Sequence, residues 1–345
     1  MKKIYLLAAL SAASILFADP PPQPPPKDPD LFLKDNAIFS SHLEFLYWKP
    51  IEGALMYALK MDRQSWNPEN TFPVGHYENA DYDFDPGFRV TMGYFRAPRY
   101  WEIWTTYTRL TARGSEKVHP SNSHPNQFLT ATWPTYFQES LSEAKTSIHL
   151  NYNVADLNVD RYFIPNPHLR LRMLGGFTGA WMDQDWAVKY YDFDNHTSLI
   201  RNRWRFGGAG FRLGLMVDWF WTDDIYVTIR GTLAALVGAY KNSMVQTSSI
   251  KLGPEYNTNL PLRNAIYRDA RSVGHLQLLM GPSWQRSWKS VRTELFLGYE
   301  INSWTNLQEI YFSVQGVPAY ASQQTTFNSG VLTLQGLTTR FSIDY

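Results

Sequence analysis

The C-terminal stretch, residues 331–345 (VLTLQGLTTRFSIDY), alternates between two kinds of side chain. In an extended strand, successive side chains point to opposite faces. One face then carries Leu337, Thr339, Phe341, Ile343 and Tyr345, and the other carries Thr338, Arg340, Ser342 and Asp344. A strand with one apolar face, one polar face and a terminal aromatic residue is typical of a transmembrane barrel, in which the two faces meet lipid and lumen. We expect Leu337, Phe341, Ile343 and Tyr345 to form the signal that the outer-membrane assembly machinery recognises.

The N-terminal segment predicts export. Lys2 and Lys3 precede a short apolar region, and Ala18 stands at a plausible cleavage point, which indicates a signal peptide over residues 1–18. Cleavage after Ala13 is the alternative. Residues 19–38 are rich in proline, which favours a stiff, extended lead-in. Residues 39–345 are then predicted to form a single barrel.

Composition excludes several classes of protein. The chain has no cysteine, so a disulfide framework, a thiolate metal site and a cysteine nucleophile are excluded. Loss of the leader would change the net charge from +1 to about −1, which argues against nucleic acid as a partner. Aromatic residues make up 16% of the chain, yet the mean hydropathy is −0.35. No internal run of about 18 apolar residues exists, so a helical membrane protein is excluded.

The connections between the predicted strands alternate in length. Short turns are predicted near Arg96, Ile164, Trp221 and Trp288, and long polar segments follow Arg113, Asp183, Lys241 and Asn306. Short internal turns and long external loops are the pattern of outer-membrane barrels. The sequence therefore predicts an all-β, up-and-down antiparallel transmembrane barrel of about ten strands. Twelve is the alternative, if residues 54–60 and the region after Asp183 add hairpins.

Three local expectations accompany this fold. A short helix is predicted near residues 137–144. A change of phase across residues 207–210 (GGAG) predicts a bulge or a glycine kink. Aromatic residues at strand ends are expected to anchor the two membrane interfaces; these are Tyr47, Trp48, Tyr100, Trp101, Trp219, Trp221 and Trp288.

Three blocks of sequence carry a family resemblance. They are residues 43–50 (LEFLYWKP), 83–94 (DFDPGFRVTMGY) and 204–214 (WRFGGAGFRLG). In this order, and with the C-terminal strand, they resemble the pore-forming major outer membrane proteins of Legionella and the related porins of chlamydia-related bacteria. The classical chlamydial porin is rich in cysteine and cross-linked in the envelope. This chain has no cysteine, so the resemblance implies only the pore.

Strand phase predicts the residues that face the lumen. Charged side chains are costly on the lipid face, so those at strand centres belong inside. The predicted pore-lining residues are Arg89, Glu102, Arg170, Arg172, Arg212, Arg230, Arg292, Glu294, Glu300 and Arg340. The same phase places His42, Glu44, Asp218 and His275 inside. These side chains either form a charged constriction or pair with one another to brace the wall. An excess of arginine in this set predicts a mild preference for anions.

Other functions remain as alternatives. An enzyme would need a nucleophile and a base, and Ser147 with His149 or Ser272 with His275 are candidates that no local spacing supports. An adhesin or a structural envelope protein would act through the long loops. We predict a passive porin in the bacterial outer membrane, with small hydrophilic solutes and ions as its cargo. We predict no catalytic residue, cofactor or metal; lipid and the assembly machinery are the expected partners, and self-association stays open.

Overall fold

The computed structural model describes residues 37–53, 55–61, 75–96, 100–120, 127–133, 135, 137, 140–252, 255–288, 291–313 and 325–345. The predicted signal peptide, residues 1–18, and nearly all of the predicted lead-in lie outside the described residues. The described part contains the strands β1 (Ala37–Glu52), β2 (Met56–Met61), β3 (Gly75–Asn79), β4 (Asp85–Arg96), β5 (Trp101–Val118), β6 (Phe128–Ala131), β7 (Leu141–Asn166), β8 (Leu169–Asp192), β9 (Thr197–Phe220), β10 (Ile225–Leu252), β11 (Glu255–Trp288), β12 (Val291–Ser313) and β13 (Thr325–Asp344).

Ten of these strands form a closed antiparallel barrel in the order β1-β13-β12-β11-β10-β9-β8-β7-β5-β4. The ring closes because β1 pairs with β13 on one side and with β4 on the other. At the seam, the backbone amide of Phe39 donates to the carbonyl of Tyr345 at 2.9 Å, and the amide of Tyr345 donates back at 3.0 Å. Each of the ten described strands is hydrogen-bonded to a neighbour on both sides, which is what a sheet in lipid requires. The prediction of about ten strands is confirmed.

Four short connections lie at one end of the barrel, which we call the turn end. β4 and β5, β7 and β8, β9 and β10, and β11 and β12 are joined there, and β1 begins and β13 ends there. The opposite end is called the loop end. The described residues contain no helix with the length and hydropathy needed to cross a bilayer.

Two of the segments predicted as long loops are mostly strand. β8 continues to Asp192 and β9 begins at Thr197, and β10 continues to Leu252 with β11 beginning at Glu255. Their outward side chains at the loop end are mostly polar, with exceptions such as Val245 and Ile266, so the apolar alternation that marks a strand in lipid is lost although the backbone pairing continues. The barrel wall therefore extends beyond its apolar band.

The loop end also carries a separate small sheet in the order β3-β2-β6. It combines two strands from the connection between β1 and β4 with one strand from the connection between β5 and β7. Of the undecided residues 54–60, residues 56–60 belong to β2 and thus to this sheet and not to the barrel. The expected helix near residues 137–144 is wrong where that segment is described, because β7 already begins at Leu141.

The expected bulge across residues 207–210 is also wrong. β9 pairs with β8 and β10 in continuous register through these glycines. Trp204 and Phe206 are buried inside, whereas Phe211 is 68% exposed on the outside. The large residues move from the inner to the outer face without a change in backbone phase.

The outer face of the barrel carries an apolar band. Large apolar side chains exposed there include Leu43, Met92, Phe177, Phe211, Leu213, Leu233, Val237, Met280 and Leu297. Six of the seven predicted interface aromatics are exposed, but Trp48 is fully buried inside because its position is even in β1, whose odd positions face outward. Leu337, Phe341, Ile343 and Tyr345 all lie on the outer face, and their role as an assembly signal stays a prediction.

Candidate functional site in the barrel lumen

All ten predicted pore-lining residues lie on the inner face of the barrel. Eight are buried, and Arg172 and Arg230 are partly exposed to small internal spaces. Glu44, Asp218 and His275 are buried beside them, and His42 lines the same interior. They share one face because each occupies the inward phase of its strand. Their role in permeation stays a prediction.

Arg89 is the centre of an ion-pair cluster in the middle of the lumen. Its guanidinium lies 2.5 Å from Glu44 Oε2 and 2.7 Å from Glu300 Oε1, and its Nε donates to Thr108 Oγ1 at 2.9 Å. The guanidinium also stacks over Trp48, 5.3 Å from the ring centroid. Four strands, β1, β4, β5 and β12, are thereby joined in the lumen.

Other pairs continue the cluster toward the turn end. Arg340 contacts Glu294 at 2.6 Å and stacks on Phe296, and Arg292 contacts Asp344 at 2.6 Å. On the opposite wall, a third buried pair joins Arg170 to Asp218 at 2.9 Å, and a fourth joins Arg212 to Asp156 at 2.5 Å. Buried charges of this kind are tolerated only when they are paired and hydrogen-bonded.

The structure removes the basis for the expected anion preference. Asp156, Asp160 and Asp344 also face inward and are buried, so arginine no longer outnumbers carboxylate among the described lumen residues. Two of these aspartates lie on β7, where the sequence interpretation assigned no lumen-facing charge. The alternation of Asp156, Asn158 and Asp160 with Leu157 and Val159 is the sequence pattern that indicates their inward position.

Arg230 differs from the other lumen arginines. No carboxylate oxygen of the described residues lies within 4.0 Å of it, and its guanidinium stacks over Trp104 at 5.7 Å. Arg230 and Trp104 together separate two internal spaces, one toward the turn end and one toward the middle of the lumen. These spaces leave about 40 Å³ and about 10 Å³ for water-sized molecules. The lumen is therefore closed to all but a few waters at this level.

An aromatic layer fills the lumen above the charges, toward the loop end. Trp48, Tyr152 and Trp304 pack edge to face, with centroids 6.0–6.5 Å apart, and His275 stacks on Trp304 at 4.0 Å. Stacked and edge-to-face pairs are the preferred arrangements of aromatic rings. This layer belongs to one continuous apolar cluster that also holds Trp204 and Tyr240.

The small sheet closes the loop end over this aromatic layer. Trp133, which follows β6, packs against the inward-facing Trp186 at 6.1 Å. The hydroxyl of Tyr190 donates to the backbone carbonyl of Tyr57 on β2 at 2.5 Å. Leu55, Tyr57, Leu129 and Trp133 are buried in the same cluster as the inner wall. We call these four residues the lid. Sequence patterns do not show the lid, because its contacts join segments far apart in the chain.

A carboxyl group lies beside the lid, above the apolar band. Gln184 donates to Glu52 at 2.5 Å and to the hydroxyl of Tyr82 at 2.6 Å. The outward-facing Lys49, paired with Asp81 at 2.5 Å, marks the upper edge of the band on β1, so Glu52 lies outside the membrane-spanning segment. Burial raises the pKa of Glu52 from 4.5 to about 7, and no cation of the described residues pairs with it to offset the loss of solvation.

Neither serine–histidine candidate forms a catalytic arrangement. Ser272 faces outward, whereas His275 is buried inside and contacts Asn302. Ser147 and His149 both line an open groove on the outer wall, but no hydrogen bond joins their side chains in the structure. No group of three or more potential metal-ligating residues occurs among the described residues.

Comparison with known proteins gives one family. A family model described as "Legionella pneumophila major outer membrane protein precursor" matches residues 35–344, which is nearly the whole chain. No curated protein matches the chain.

Several solved structures show a distant likeness. The outer membrane protease OmpT of Escherichia coli is 9% identical, with 89% of this chain and 96% of that chain covered and a TM-score of 0.41. A FadL homologue of Pseudomonas aeruginosa is 7% identical, with 92% of each chain covered and a TM-score of 0.25. The toluene transporter TodX of P. putida is 8% identical, with 91% of each chain covered and a TM-score of 0.22.

Proposed function

We propose, for a chain that belongs to the Legionella major outer membrane protein family, that this outer-membrane barrel is a narrow channel for ions and small hydrophilic solutes. In the conformation described above, the channel is closed. The turn end then faces the periplasm and the loop end faces the exterior, as in outer-membrane barrels generally. The ten predicted pore-lining residues are proposed to line the narrowest part.

The observation that carries this proposal is the charged inner face. Burying ion pairs in a low-dielectric interior gains little stability over apolar packing of the same volume. A barrel that served only as an anchor would be equally well filled by apolar side chains. Yet the lumen from the turn end to its middle holds paired charges around two small spaces. Such a lining suits a path that water and ions enter when it widens.

The lid is the element that has to move for solutes to pass. It is inserted from two external connections and is not part of the hydrogen-bonded ring. Displacing Trp133 and Tyr57 from Trp186 and Tyr190 would expose the aromatic layer to the exterior without breaking any barrel strand pair. Passage would then depend on rearrangement at Arg230 and Trp104, the partition between the two internal spaces. We propose no catalytic role for this chain.

Solute flux into proteoliposomes tests the proposal. We expect slow uptake of a small sugar by liposomes that contain the refolded wild-type protein, above the rate of empty liposomes. Trp133→Ala should increase the rate severalfold, because it removes the largest lid side chain. Trp181→Ala is the matched control: this tryptophan lies on the outer face and should leave the rate unchanged.

One result would decide against the channel. Wild-type and Trp133→Ala liposomes that match empty liposomes, with the barrel shown to be folded, would contradict it. The closed lumen and the extended loop end would then favour a structural envelope protein or an adhesin, which is the second candidate function.

A further inference from the structure

Three cations form a row on the outer wall, at the loop-end edge of the apolar band. Arg205 on β9 lies directly opposite Lys241 on β10, and Lys241 lies directly opposite Arg268 on β11. All three side chains face outward and are exposed. Directly opposed residues in antiparallel strands have Cβ atoms about 4.5–5.5 Å apart. The row therefore concentrates three positive charges on a small patch of wall.

The charges of this row are not neutralised within the described part of the chain. No carboxylate oxygen described there lies within 4.0 Å of Arg205, Lys241 or Arg268. Two acids lie near the row. Asp183 on β8 is directly opposite Arg205, but its carboxylate lies nearer Arg203, at 3.9 Å. Asp269 also lines the groove, and its carboxylate lies 3.6 Å from Arg271. Like charges in directly opposed positions repel one another. An anion bound between them would relieve that repulsion.

The wall just below the row is shallow and apolar. Gly207, Ala239 and Ala270 face outward there and, with the row, line an open groove. A side-chain carbon added at Gly207 would meet nothing within 4 Å, so the floor of the groove is open to the surroundings. Farther down the same strands, Phe211 and Val237 are each 68% exposed and belong to the lipid-facing band. A hydrocarbon chain would therefore find continuous apolar wall beneath the cations.

We propose that this groove binds a phosphorylated glycolipid of the outer leaflet. Its phosphates lie against Arg205, Lys241 and Arg268, and an acyl chain lies over Gly207 and Ala239. Guanidinium groups bind phosphate through paired hydrogen bonds, and lysine adds a compact charge. The position of the cation row along the barrel axis fits this proposal, because the phosphates of lipid headgroups lie where the apolar band ends. A free phosphate would use the cations alone, whereas the lipid also uses the groove.

Lipid binding by the refolded barrel in detergent, measured by native mass spectrometry, tests this site. The probe is bis-phosphorylated lipid A, compared with the same lipid after removal of its phosphates. We expect the triple variant R205Q/K241Q/R268Q to bind the phosphorylated lipid at least about tenfold more weakly than the wild type, a change of about 1.4 kcal/mol. The single variant Arg268→Gln should give a smaller loss, which keeps the test valid if the triple variant does not fold.

Arg286→Gln is the matched control. Arg286 lies on the same strand as Arg268 and is also exposed on the outer face, but at the turn end. It should leave binding of the phosphorylated lipid unchanged. The proposal would be overturned if Arg286→Gln lost as much affinity for the phosphorylated lipid as the triple variant, or if the triple variant lost none. Equal binding of the dephosphorylated lipid, or displacement by millimolar inorganic phosphate, would also overturn it in favour of apolar adsorption or a free anion site.

Discussion

Arg89 shows how the lumen is held together at the level of single residues. Its guanidinium contacts two carboxylates, Glu44 and Glu300, which have no other arginine within 3.5 Å among the described residues. Both carboxylates are buried, and Arg89 is the nearest cation to each of them among the described residues. Glu300 also accepts hydrogen bonds from Gln277, Asn302 and Thr338. The cluster is therefore sensitive to the loss of its centre.

Replacing Arg89 with Gln should strongly destabilise the barrel. Removing one partner from a buried charged cluster costs about 3–5 kcal/mol, because it leaves an uncompensated charge. Urea-induced unfolding in detergent would measure this loss as a lower midpoint. Arg109→Gln, an exposed position on the neighbouring strand β5, is the control and should stay within about 0.5 kcal/mol of the wild type. Equal midpoints for the two variants would contradict the ion-pair assignment.

Glu52 makes the loop end sensitive to pH. Its pKa in the folded state, about 7, is above the ordinary value of 4.5, so the folded protein binds this proton more tightly than the unfolded chain does. Burial of this carboxyl therefore costs least below pH 4.5, where it is protonated in both states. The folded protein loses stability as the pH rises from 4.5 through 7, because the unfolded chain releases this proton first.

This effect can be isolated with one substitution. Between pH 5 and pH 8, the wild-type unfolding temperature should fall more than that of Glu52→Gln, since glutamine keeps the size of the side chain and does not ionise. Glu78→Gln, at a partly exposed pair with Lys60, serves as the control and should follow the wild type. If the unfolding temperatures of the wild type and Glu52→Gln changed in parallel with pH, the raised pKa of Glu52 would be excluded.

At the level of elements, β9 depends on close approach of its neighbour. A side-chain carbon added at Gly210 would lie 1.9 Å from the carbonyl oxygen of Ala235 on β10, which the backbone cannot accommodate without moving. Gly231 is different, since an added carbon there meets only the side chain of Leu278 at 3.6 Å. The two glycines therefore form a matched pair on adjacent strands.

Gly210→Ala should destabilise the barrel by about 1–3 kcal/mol, the usual cost of overpacking. Gly231→Ala should stay within about 0.5 kcal/mol of the wild type. Thermal unfolding followed by circular dichroism would compare them. The continuous register of β9 would be in doubt if both variants unfolded at the same temperature.

The same strand shows what sequence patterns can and cannot predict. The alternation of Phe211, Leu213, Leu215 and Val217 predicts the outward face of β9, because lipid selects large apolar residues at every second position. Other large apolar residues, Trp204 and Phe206, lie on the inner face of β9 above the band, because the aromatic layer fills the lumen there. A pattern that reports hydrophobicity alone cannot distinguish these two environments, which is why a bulge was expected.

At the level of the whole molecule, the ring of ten strands follows from the rhythm of turns, but the closed lumen does not. Each strand reveals which side chains point inward, and that is enough to place Arg89, Glu300 and Arg340 on the inner face. Whether inward side chains meet depends on barrel diameter and on insertions from the loops. Lys60, for example, is opposite Leu129 only because β2 pairs with β6 across the loop end.

The proposed function requires a closed channel whose lid can open, and single-channel recording in a planar bilayer tests this requirement. We predict rare, small, discrete conductance steps for the wild type and more frequent or larger steps for Trp133→Ala under the same salt and voltage. Selectivity for anions should be weak, because the described lumen carboxylates balance the arginines. The proposed channel would be contradicted if both proteins folded and inserted but never conducted. A large, permanently open pore in the wild type would contradict the closed lumen.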